Sequence, residues 1–223
     1  QLGDFQRSDM WIDRASEVLV KNPGDPRSAG TLKTMKARHI IETETWETYE
    51  LTDSLNGDEL LALGLSAANL GDLDLAQAVA DRLESLASQS SNNATLNLIS
   101  IQVTALTKFK KGQEEEALSM LMDAVTIAEN QTPPRGAASP LKPVHELAGD
   151  LLLAMGNHEK AAELYESSLR RMANRPRALL GAARSYAGMD DDYNARQKYQ
   201  SFYALWQDDS LSEVTETKDY LGI

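Results

Sequence analysis

A 34-residue period constrains this chain more than any other feature. Set over one another in lines of 34, residues 142–209 repeat themselves. Met155-Gly156 stands over Met189-Asp190, Ala161 over Ala195, and Tyr165 over Tyr199. Gly149 stands over Ala183, Leu152 over Tyr186, and Ser168 over Phe202. A fixed period of this length marks a supersecondary unit that buries its apolar face by stacking on copies of itself. Small residues at two of the offsets describe helices that approach closely. Larger side chains there would overpack the contact at about 1–3 kcal/mol each.

This pattern resembles the tetratricopeptide repeat, in which an A helix, a tight turn and a B helix pack antiparallel. The resemblance implies an all-α, right-handed superhelical solenoid of helix hairpins and the general task of holding other proteins. Gly149, Ala161, Ala183 and Ala195 fall on the family's small positions. Gly156 falls where an A helix ends, a place that favours positive φ and hence glycine. Asn157 then caps the B helix, and Glu159 in its first turn suits the positive end of the macrodipole. Lys160 stands where a capping box needs Glu or Gln, so the box is incomplete. Asp190 replaces the glycine in the next unit, and Asp enters left-handed conformations more easily than most residues. The family's early aromatic is replaced by His145 and Leu179. Its closing proline is replaced by Ala173 and Gln207, and Pro176 instead opens the next A helix.

Composition agrees with a substantial core: 223 residues, 42% of them hydrophobic. No apolar run reaches the ~18 residues of a membrane span, so no membrane insertion is expected. The absence of cysteine excludes disulfides and thiolate metal sites. It also tips the expected compartment of a bacterial protein toward export or the extracellular side over the cytoplasm. No secretory signal and no initiating Met are visible, so a processed or excised chain is expected. The net charge of −12 disfavours nucleic acid and anionic lipid as partners. Charge is unevenly spread. Residues 1–40 carry seven Lys/Arg against five Asp/Glu, and residues 186–223 carry three against eight.

Taken in order, Leu2-Gly3-Asp4 reads like the later Leu70-Gly71-Asp72, the turn between an A and a B helix. Residues 5–21 follow as a B helix. Asn22-Pro23-Gly24-Asp25 is a break, after which Asp25 caps and Pro26 opens a helix over 26–42. A shorter helix is expected around Trp46 to Leu55. Residues 1–56 thus form degenerate repeats. Residues 57–130 carry repeats with long helices, at 94–111 and 114–130 among others. Residues 131–143 are a Pro-rich loop, 142–209 the two clear repeats, and 210–223 a capping helix. The total is about twelve helices in one solenoid. The stretch 57–221 is similar to the C-terminal half of a group of larger, poorly characterised bacterial tetratricopeptide proteins, with the run His145 to Leu152 following a similar loop.

No catalytic motif, cofactor loop or metal cluster stands out. His39, His145 and His158 are scattered, Asp190-Asp191-Asp192 lacks EF-hand spacing, and Glu114-Glu115-Glu116 suits a helix start. No enzyme activity, metal or cofactor is expected. The resemblance instead implies a groove lined by A helices. The offsets are Glu146 and Asp150, then Arg177, Leu180 and Arg184. Upstream they are Leu61 and Leu65, then Gln102, Leu106 and Phe109. The Lys/Asn clamp some relatives use for a C-terminal carboxylate is absent. The expected partner is a protein or peptide, with Arg177 and Arg184 facing an acidic or C-terminal segment. Trp46 and Trp206 read as core. Trp11 and Val18 lie off the main stripe of their helix and form the expected contact for a head-to-tail homo-oligomer, ring or filament, the alternative role.

Overall fold

The computed structural model describes residues 4–90 and 92–223. Among these there are eleven helices and no strand. They are α1 (Phe5–Lys21), α2 (Pro26–Thr43), α3 (Gly57–Leu70), α4 (Leu73–Gln89), α5 (Ala94–Lys110), α6 (Glu114–Glu129), α7 (Val144–Ala154), α8 (His158–Arg171), α9 (Pro176–Gly188), α10 (Asp192–Tyr203) and α11 (Ser212–Leu221).

The boundaries follow from local chemistry. Asp25 accepts from the N–H groups of Arg27 and Ser28, and Pro26 opens α2. Asn56 and Glu59 form a reciprocal capping box at α3. Asp72, Asn93, Asn157 and Asp191 each accept a backbone N–H at the starts of α4, α5, α8 and α10. Gly71, Gly112 and Gly156 have φ of 84°, 82° and 74°, and Asp190 takes the same role with φ 58°. One chiral residue thus adopts the left-handed turn where the repeat elsewhere uses glycine.

The chain divides into two compact units. One comprises Phe5–Ala124 with Ser139–Leu141; the other contains Val125–Ala138 and Lys142–Ile223. The division falls within α6. In the first unit α1 packs on α2, α2 on α3, α3 on α4, and α4 on α5, while α3 also reaches α5. Every residue of α3 from Leu60 to Ala68 is buried. Gly64 makes room for this, since a Cβ there would lie 2.5 Å and 2.8 Å from the two methyls of Val103 on α5. In the second unit each of α7 to α11 packs on the next, and α7 also touches α9. Adjacent helices with an added contact between alternate ones are the arrangement a hairpin repeat predicts.

One expected element is absent. Residues 45–56 are irregular, with a turn at Asp53-Ser54, and no helix runs from Trp46 to Leu55. Glu44 ends α2 in a left-handed conformation, φ 56°. Thr45, Thr48 and Thr52 are β-branched and weaken helix formation. Tertiary bonds then hold the strap. The Tyr49 hydroxyl donates to the Glu59 carbonyl, Lys33 donates to the Ser54 carbonyl at 2.8 Å, and Arg82 pairs with Asp53 at 2.8 Å. The turn expected at Leu2-Gly3 lies outside the described residues. Trp206 is buried, Trp46 is half-buried, and Trp11 is exposed.

Candidate functional site

The A-type helices of the second unit, α7 and α9, touch one another, and α11 follows them. Glu146 and Asp150 are four residues apart on α7, one turn along the same side. Arg177, Leu180 and Arg184 recur at intervals of three and four on α9. Expected groove positions therefore share helix faces, but their surroundings differ sharply.

Glu146 is closed to solvent. Arg175 grips it with two bonds, Nε to Oε1 at 2.5 Å and Nη2 to Oε2 at 2.9 Å, and the Ser168 hydroxyl donates to it at 3.3 Å. Both charged side chains are essentially fully buried, at 2% and 0% exposure. Such a pair is tolerable only because the geometry is bidentate and the remaining lone pairs have donors. Its place is at the α8–α9 turn, where it ties α7 to the start of α9. Arg177 is also buried. It bonds Glu213 at 2.7 Å and lies over the Trp206 ring at 5.0 Å. Leu180, Leu61 and Leu65 are core residues, and Phe109 is half-buried.

Asp150 and Arg184 differ from these. Their side chains are 40% and 41% exposed, yet each is held in place. Asp150 accepts from Lys142 Nζ at 2.6 Å and from the Tyr165 hydroxyl at 2.7 Å. Arg184 makes a two-pronged contact with Glu216, at 2.9 Å and 2.6 Å. Glu216 also accepts from the Tyr199 hydroxyl at 2.8 Å. The result is a ladder of alternating charge, Lys142–Asp150–Tyr165 and Arg184–Glu216–Tyr199. Burial, then the adjacent Asp150 carboxylate, pushes the Tyr165 phenol well above its ordinary value, so it stays a donor. Burial and Glu216 do the same to Tyr199.

The period made Tyr165 and Tyr199 equivalent, and both indeed donate to a carboxylate on the A-helix side. That shared bond was the available signal for the ladder. Arg175, Glu213 and Glu216 carried none, because each meets its partner about 30 residues or more away, and Lys142 meets Asp150 from the loop before α7, outside the helix period. The histidines lie apart. His39 bonds Ser8 and Asp9 of α1, His145 faces Glu129 at 3.6 Å, and His158 lies beneath Gly188. Among the described residues no helix is long and apolar enough to cross a membrane.

Comparison with known proteins agrees with the geometry. The sequence model of a family described as Tetratricopeptide repeat matches residues 143–171, the segment from just before α7 to the end of α8. A thermophilic TPR protein of Thermus thermophilus superposes with a TM-score of 0.55 at 15% identity, covering 98% of this chain and 100% of that one. The pilF protein of Pseudomonas aeruginosa gives 0.50 at 19% identity, covering 97% and 88%. At such identities the likeness is one of fold. No curated protein matches the sequence. The fold is that of tetratricopeptide repeat proteins.

Proposed function

We propose that this chain, a tetratricopeptide repeat protein, is a scaffold that binds a peptide or partner protein on the charged ladder of α7 and α9. The observation that carries this reading is the pairing of exposure with rigidity at Asp150 and Arg184. Each projects a charge two-fifths open to solvent, and each is fixed by two bonds beforehand. Groups already held in their binding geometry lose little freedom when a partner arrives. Lys142 beside Asp150 extends the pattern to both signs, which suits a mixed-charge segment. The buried positions Glu146, Arg177 and Leu180 support the face from beneath.

Asp150→Ala and Arg184→Ala together are expected to abolish capture of a partner from the native source, with helicity unchanged. A captured protein would be identified and its affinity measured again with purified components. Equal affinity for wild type and variant would refute the ladder as the contact face.

A second reading, self-assembly through the N-terminal helix, is favoured by one observation. Met10, Trp11, Val18 and Val20 on α1 are exposed, with Trp11 at 46% and Val18 at 45%. Trp11 and Val18, seven residues apart, share one side of the helix, and exposed apolar side chains so placed are an association signal. Sedimentation over a wide concentration range, at low and high salt, is expected to show growth that Trp11→Glu removes. A wild-type chain monomeric throughout would rule this reading out.

A further inference from the structure

Arg177 and Arg184, seven residues and about two turns apart on α9, already hold an acidic helix, and it belongs to the chain itself. Glu213 and Glu216 of α11 sit three residues apart on one face and reach the two arginines in that order. How α11 is held differs from how the central helices α7 and α9 are held. Of its ten residues only Val214 and Thr217 are buried, whereas α9 buries nine of thirteen. Leu211 precedes it without a side-chain cap bond. Its remaining attachments are polar or at the surface: the two ion pairs, the Tyr199–Glu216 bond, an exposed Lys218–Asp209 pair at 3.2 Å, the Tyr220 hydroxyl donating to Asp192 at 3.2 Å, Arg196 donating to the Leu221 carbonyl at 3.4 Å and lying over the Tyr220 ring, and that ring 4.6 Å from the ring of Tyr199. The apolar anchor is Trp206, 1% exposed and 5.2 Å from Phe202, and it lies before the helix on the far side of a polar connector. An element whose only task is to cover a core buries apolar side chains. Here the core is closed by Trp206, and α11 is fastened mainly by charge.

We propose that the arginine face of α9 is a docking surface for an acidic helix carrying two carboxylates three residues apart, and that α11 is its resident occupant, exchanged when a partner helix of that kind binds. Trp206 stays in place during the exchange, and residues 207–211 act as the hinge. Outside α11, residues 186–211 carry two basic groups against five acidic, so they offer a vacated α11 no second cationic face. This inference rests on the scaffold reading of the same helices and names the chemistry of the partner.

The test uses the full chain and a fluorescent synthetic peptide with the sequence of residues 208–223. The wild type, its face occupied, is expected to bind the peptide weakly. Glu213→Lys with Glu216→Lys loosens the resident helix and is expected to tighten peptide binding at least tenfold. Adding Arg184→Glu should remove that gain, as should a peptide with Gln at both carboxylates. Equal binding to wild type and double variant would overturn the proposal, as would undiminished binding of the Gln peptide. Hydrogen exchange on the wild type is a second readout that does not depend on the variants folding. Amides of residues 212–221 are expected to exchange at least tenfold faster than those of residues 192–203, and equal protection would make α11 a fixed cover. If the peptide behaves as expected while Asp150 and Arg184 prove dispensable for partner capture, the scaffold reading falls and the acidic-helix surface stands. If capture needs them and the peptide discriminates nothing, the reverse holds.

Discussion

Replacing Gly181 with alanine is expected to destabilise the protein by about 2 kcal/mol, although alanine is the better helix former by about 1 kcal/mol in a helix interior. The reason is Tyr165. A Cβ built at Gly181 on α9 falls inside the van der Waals surface of the Tyr165 ring, against Cζ, Cε1 and Cε2. The ring cannot retreat. On α7, a Cβ at Gly149 would lie 2.9–3.1 Å from the same three atoms. The ring is 1% exposed, and its hydroxyl is fixed on Asp150 at 2.7 Å. Overpacking costs about 1–3 kcal/mol, and a ring in contact on both faces belongs at the upper end. Subtracting the propensity gain leaves about 2 kcal/mol, or a fall in Tm of about 4–8 °C for a chain of this length. Urea unfolding followed by circular dichroism should show a lower midpoint with an unchanged slope. Removing the ring should relieve the clash. Gly181→Ala combined with Tyr165→Leu is expected to cost less than the sum of the single changes by about 1 kcal/mol or more. A Gly181→Ala chain as stable as the wild type, or more so, would refute the argument that α7, α8 and α9 close on this ring. Gly149→Leu, at the same ring's other face, is expected to lose about 1–3 kcal/mol for the same reason.

Glu146→Ala leaves the Arg175 guanidinium buried without its main counter-charge and should cost about 3–5 kcal/mol; a loss under about 1 kcal/mol in urea unfolding would mean that water reaches the pair. Acid should loosen α11 before the rest of the second unit. Burial raises the Glu216 carboxyl and Arg184 lowers it, burial raises Glu213 and Arg177 lowers it, and the net for both is below the ordinary 4.5. A carboxylate depressed in the folded state contributes fully above its unfolded value and loses that contribution as pH falls below it. Docking of α11 should therefore be complete above pH 4.5 and weaken in more acid solution, seen as a shift of the Tyr220 ring signals in NMR. Signals that stay unchanged until global unfolding would contradict this assignment.

Much of the backbone was legible in the sequence because helix ends are decided by neighbours in the chain. Asp25-Pro26, Asn157, Gly71, Gly112, Gly156 and Asp190 act within a turn of where they stand, so their roles are set before any tertiary contact forms. The 34-residue period likewise picked out Gly149, Ala161, Ala183 and Ala195, all of them buried, since packing repeats when the unit repeats. Residues 45–56 escaped this logic. Their conformation is held by the Glu59 carbonyl, Lys33 and Arg82, none of which a local pattern includes.

The face chemistry was decided by the tertiary structure alone. Periodicity placed Glu146, Asp150, Arg177 and Arg184 on A-helix faces, but it says nothing of what stands opposite. Arg175 lies 29 residues from Glu146, Glu213 lies 36 from Arg177, and Glu216 lies 32 from Arg184. Those distant partners bury Glu146 and Arg177 and leave Asp150 and Arg184 open. A charge is a solvated surface group or a buried strut according to whether an opposite charge is brought within bonding distance, and only the packing of the helices sets that distance.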